Sequence, residues 1–177
     1  MIKAFMFTGA LVCKGLITNI FGIPMKHTPY PVRIHIDKEF PESQVVPLKN
    51  AIEIWNKAAK KELFVLEQDK TTLTQGKDSV NIIYWKLKWD NDDNMEAVTI
   101  NYFGLKTITE SDMEINDFWI KKGVDIQTLF IHELGHVIGF DHSMENDSVM
   151  QPTLPEHVFR HKLGKEDLNT LKCLLGE

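Results

Sequence analysis

Residues 132–142 read His-Glu-Leu-Gly-His-Val-Ile-Gly-Phe-Asp-His, and no other stretch restricts the fold as tightly. His132 and His136 are four apart, so a helix carries both on one face, separated by about 6 Å along its axis. Both imidazoles then reach one ion at the ~2.0–2.1 Å of a zinc–nitrogen bond. Glu133 follows the first histidine and leans over the same site as a base. Gly139 stops the helix, because glycine takes a left-handed C-cap conformation at little cost. The turn that follows brings His142 back as a third ligand.

Three neutral imidazoles on zinc leave one position for water, the arrangement of a catalytic rather than a closed structural site. Zinc acidifies that water and polarises a carbonyl under attack. Glu133 accepts the water's proton and passes it to the leaving amine. The stretch thus predicts peptide-bond hydrolysis by metal-activated water.

The rest of the chain must supply one domain around this helix. Its 177 residues suffice for one substantial core, and 43% hydrophobic with 25% charged residues is an ordinary globular balance. A net charge of −5 gives no basic face for nucleic acid. Cys13 and Cys173 do not make a disulfide framework; a single bridge is possible, but two unpaired thiols are the expectation, with Cys173 buried on a helix. Residues 1–24 pair a basic start at Lys3 with apolar runs through Cys13 and on to Ile23. They are either a signal peptide or an N-terminal arm, and too interrupted to span a bilayer. A signal would place the protein outside the cell or at its surface.

Folded sequence is expected from Tyr30. Val32 to Asp37 alternates apolar and polar residues as a half-buried strand does. A helix follows from about Pro47, with Leu48, Ile52, Trp55 and Ala59 on its buried face. Strands are expected at Phe64–Leu66, Ser79–Trp85, Ala97–Phe103 and, briefly, Met113–Asn116. The motif helix runs from about Asp125 to Ile138. A last helix from Lys165 carries Leu168, Leu171 and Leu175 and ends at Gly176. Strand, helix, several strands and two helices make a mixed sheet with helices packed on it.

Further residues give the motif a family likeness. Ser143 follows His142, and Ser148-Val149-Met150-Gln151-Pro152 forms a methionine turn with no tyrosine two residues after Met150. Asp112 to Asp117 with Trp119 precedes the motif helix, and Leu163 to Leu168 with Leu171 to Gly176 closes the chain. In these features residues 31–176 resemble a metzincin metalloprotease, and within that clan a matrixin catalytic domain. The resemblance implies an α+β, zincin-like fold: a twisted mixed five-stranded sheet with an antiparallel edge strand, two long helices and a C-terminal helix. The catalytic domain would span residues 30–177. It places Met150 beneath the metal and Pro152 in the wall of the pocket for the residue after the scissile bond. Val137 is expected to line that pocket. Ala97–Phe103 would be the edge strand on which a protein or peptide substrate lies extended, in a monomeric enzyme.

The likeness has departures. Cys13 sits in Leu-Val-Cys-Lys-Gly, which does not match the cysteine switch of animal matrixins. The segment from Tyr84 to Ala97 lacks the histidines of a second, structural zinc, so none is expected. Asp90, Asp92, Asp93 and Asp117 are oxygen donors, but their spacing fits no calcium loop, and solvated loop charges are the better expectation. His27, His35, His157 and His161 fall outside the motif. Two rivals remain: a metal-binding structural or interaction module with a vestigial site, and a cell-wall peptide amidase.

Overall fold

Alternation at Val32–Asp37 turns Val32, Ile34 and Ile36 into the core and leaves Arg33 exposed. This strand belongs to a sheet in a computed structural model that describes residues 13–73, 75–153 and 158–176. In chain order the elements are β1 (Lys26–His27), β2 (Val32–Asp37), α1 (Val45–Ala59), β3 (Phe64–Thr71), β4 (Asn81–Lys86) and β5 (Ala97–Phe103). They continue with β6 (Thr107–Asn116), α2 (Asp117–Lys121), α3 (Ile126–Ile138) and α4 (Lys165–Leu175).

The strand order is β1-β6-β4-β2-β3, parallel throughout, and β5 pairs antiparallel with β6. The sheet is the expected mixed one, with a sixth strand from the short β1. Its central strand β4 buries Ile82, Ile83, Tyr84 and Trp85, as a parallel strand covered on both faces should. Leu48, Ala51, Ile52 and Trp55 of α1 pack with Phe130, Ile131 and Leu134 of α3 in one core. The Trp55 indole N–H donates to the Ile131 carbonyl at 2.9 Å, so α1 fixes the height of the motif helix.

Several boundaries differ from expectation for identifiable reasons. β6 is ten residues long because Glu110, Ser111 and Asp112 are buried rather than in a loop. The Gly76 N–H approaches Asp112 Oδ2 at 3.4 Å, and the Ser79 N–H donates to Glu110. Burial pushes the Asp112 carboxyl up to about 7. α2 is a one-turn helix started by the Asn116 side chain, which accepts from the Phe118 N–H. On α4 the buried face is Asp167, Thr170, Leu171 and Leu174, while Leu168 is exposed.

Order also begins well before Tyr30. Leu16 is buried and bridges Phe140, the Ile17 N–H donates to the Gly139 carbonyl at 2.8 Å, and the Asp141 N–H donates to the Gly15 carbonyl at 3.0 Å. Residues 1–12 lie outside the described residues. Cys13 and Cys173 form a disulfide, which corrects the expectation of two free thiols. Their Cα atoms are 5.8 Å apart, within the span a disulfide bridges, because the arm returns along α4. Beside the bridge, the Thr170 hydroxyl donates to the Lys14 carbonyl at 3.1 Å.

Candidate metal and catalytic centre

Helix α3 is stopped sharply at both ends, and its ends aim the motif. Asp125 caps the start, accepting the Thr128 N–H at 2.9 Å. At the other end Gly139 has φ of 107°, and the Phe140 N–H closes on the Gly135 carbonyl at 2.9 Å. A Cβ on residue 139 would also collide with the Met25 carbonyl oxygen. Glycine is therefore required twice, by conformation and by space.

The turn brings His142 to the helix pair. Ligand atoms of His132, His136 and His142 all lie within 4.8 Å of one another. The Nε2 atoms of His132 and His136 are 3.1 Å apart. Two zinc–nitrogen bonds at a tetrahedral angle would separate them by about 3.3 Å, so the pair already has the spacing of shared ligands.

Backbone carbonyls decide the tautomers. His132 Nδ1 meets the Val149 carbonyl at 2.8 Å, and His136 Nδ1 meets the Phe140 carbonyl at 2.9 Å. A carbonyl only accepts, so each ring's proton sits on Nδ1 and each Nε2 presents a lone pair to the common centre. Burial, aided by neighbouring His136, pushes the His132 imidazole down to about 3, which keeps it in the neutral form a metal takes. Burial also lowers His142. The donor set and its tautomers fit one zinc ion.

Glu133 is buried beside these rings, and its Oε2 accepts a hydrogen bond from the Thr99 hydroxyl at 2.6 Å. Burial pushes its carboxyl up, and His136, the Thr99 hydroxyl and His142 act against that shift. Thr99 sits on β5, where threonine is an ordinary strand former, and only the packing of β5 on α3 shows what its hydroxyl meets. Two residues on, the Asn101 amide donates to the His136 carbonyl at 3.0 Å and accepts from the Ser111 hydroxyl at 2.6 Å.

Met150 is buried under α3, where a side chain at Gly135 would collide with its sulfur. The Ser143 N–H donates to the Met150 carbonyl at 2.9 Å, which closes the loop from His142. From α4, Asp167 accepts from the Ser148 hydroxyl at 2.5 Å and from the Val149 N–H at 2.9 Å. The same Val149 then holds His132. The last helix thus reaches the centre through one carboxylate and one peptide unit, a relay to which a periodicity reading of α4 is blind.

A cavity of about 580 Å³ lies over the centre, walled by β5, by Leu129 of α3 and by Gln151, Pro152 and Thr153. Pro152 lines that cavity. Val137 does not: it is enclosed in the core and lies outside the cavity lining. Successive helical residues turn by about 100°, so with His136 facing the cavity the next side chain is carried away from it. Leu129, two turns before His136, supplies the helix's apolar contribution instead.

A family model of matrixins matches residues 35–176. Curated relatives align more locally. Metalloendoproteinase 4-MMP of Arabidopsis thaliana is 36% identical over 53 residues, 30% of this chain and 16% of that protein. Metalloendoproteinase 5-MMP of the same plant is 32% identical over 53 residues, 30% of this chain and 15% of the relative. Metalloendoproteinase 1 of Glycine max is 23% identical over 73 residues, 36% of this chain and 24% of the relative. Each alignment thus spans a quarter or less of the relative's length.

Proposed function

This chain belongs to the matrixin family, and we propose from that premise and its site geometry that it is a zinc endopeptidase whose general base and acid is Glu133. The observation that carries the reading is the convergence of two Nε2 lone pairs with a buried carboxylate that Thr99 holds by one oxygen. His132, His136 and His142 would hold the ion. Zinc, when bound, supplies Lewis acidity to the scissile carbonyl and to a water.

The protein's own groups do the rest. The Thr99 hydroxyl engages Glu133 Oε2 and leaves Oε1 to accept a proton and return it to the leaving amine. Burial removes competing solvent from that carboxylate. Among the described residues β5 pairs with β6 along one edge only, so its other edge offers main-chain groups to an extended peptide. The Cys13–Cys173 bridge supports action in an oxidising compartment, outside the cell or at its surface. A vestigial binding module has no use for a base that is both buried and oriented by a hydroxyl from the strand lining the cleft, and the free edge of β5 favours an extended peptide over a cell-wall amide.

A quenched-peptide library tests the proposal. The zinc-loaded protein should cleave a subset of internal peptide bonds, stop when zinc is chelated and resume when zinc is restored. Stoichiometric zinc with no member cleaved would sink the endopeptidase reading in favour of one of its rivals, the binding module or the cell-wall amidase.

A further inference from the structure

At the start of β5 the cleft carries a second carboxylate that the hydrolytic chemistry does not use. Glu96 lines the cavity with Asn94 and Met95. Its carbonyl accepts the Asn116 N–H at 2.9 Å, so its backbone is tied to the end of β6 and cannot swing freely. Its side chain is half-buried, and among the described residues it has no hydrogen-bond or ion-pair partner. Among the described residues no lysine or arginine lines the cavity. Next to Glu96, Met95 leaves 45% of its surface exposed. Burial, and then the charge of Glu133, raises the Glu96 carboxyl, a shift that a cation placed beside it would oppose.

A long aliphatic stem ending in a positive charge matches an exposed thioether beside an unpaired carboxylate. Lysine and arginine side chains have that form. A peptide lying along the free edge of β5 carries one of its side chains past the strand's first residues. We propose that Met95 and Glu96 form a subsite for a basic side chain of the substrate, so that the enzyme favours peptides with lysine or arginine near the scissile bond. This rests on the endopeptidase reading and names its substrate class.

The test starts from one cleaved peptide and places lysine, norleucine or glutamate in turn at each position flanking the cut, measuring kcat/KM. At one position lysine should exceed norleucine by about two- to fivefold, the worth of a partly exposed ion pair, and glutamate should fall below norleucine. Glu96→Gln should bring the lysine-to-norleucine ratio at that position to about one, and Glu96→Lys should favour glutamate there. Each ratio is taken within one enzyme preparation, so partial misfolding of a variant cancels. The subsite is refuted if no position favours lysine, or if Glu96→Gln leaves the favoured ratio unchanged. Failure to cleave any peptide refutes the endopeptidase reading instead, a distinguishable outcome.

Discussion

Replacing Glu133 by alanine is expected to lower kcat/KM by about 10²–10⁴ on every peptide the parent cleaves, while the protein keeps its zinc. The two halves of that result come from different parts of the site. Zinc retention rests on the three histidines, whose orientation comes from the Val149 and Phe140 carbonyls and from the Gly139 turn, none of which involves Glu133. The loss of rate rests on the carboxylate that Thr99 fixes beside those rings. Stability should change little, because the substitution also removes a buried carboxylate whose desolvation opposes its ionisation. A variant keeping more than a tenth of parent activity would show that another group handles the proton. One that released zinc would show Glu133 to be a structural prop. A metal-dependent interaction module would bind its partner equally well with alanine at this position.

The second large effect is on stability. The Cys13–Cys173 bridge joins residues 160 apart. Closing a loop of that length in the unfolded chain is worth about 5 kcal/mol by chain entropy, comparable to the whole net stability of many domains. Cys13→Ser with Cys173→Ser, or reduction of the parent, should lower the unfolding free energy by that order and shift the denaturant midpoint down, with a steeper slope because the released unfolded chain exposes more surface. Zinc affinity should fall too, because the arm that the bridge anchors donates through Ile17 to Gly139 and accepts at Gly15 from Asp141, on either side of the turn leading to His142. A midpoint shift equivalent to under about 1 kcal/mol would contradict the chain-entropy stabilisation, and an unchanged zinc affinity would contradict the mechanical role given to the arm.

What could be read beforehand from the residues divides along a physical line. Local patterns with steep consequences were legible: the i, i+4 histidines, the glycine that must take positive φ, and the alternation that gave β2. β5 occupies the range its β-forming run indicated. Features set by distant contacts were not. Nothing in Glu110-Ser111-Asp112 distinguishes a polar loop from the middle of a ten-residue strand, because its burial depends on residues 76–79 folding back over it. The disulfide was hidden for the same reason, since its geometry depends on the arm's path along α4. Thr99, Asn101 and Asp167 act on the centre through single hydrogen bonds across 34, 35 and 18 residues of sequence, and have no local signature. Val137 faces the core and His136 the cavity, because one residue along a helix reverses the environment.

The fold and its function meet at one peptide unit. Asp167 of α4 accepts the Val149 N–H, and the Val149 carbonyl accepts a hydrogen bond from His132 Nδ1–H. The final helix thereby sets which nitrogen of His132 faces the centre. The disulfide on that same helix ties down the arm bracing the His142 turn. The ligands are thus held from α3, from the methionine turn and from the arm, with α4 behind the last two.

The most direct measurement of the central claim is peptide cleavage by the metal-free protein as zinc is added back in small increments. Activity should be absent at the start, rise linearly and break to a plateau at one zinc per chain, matching three histidines around a single centre. Cleavage by the metal-free protein, or a protein saturated at one zinc that cleaves nothing, would contradict the assignment.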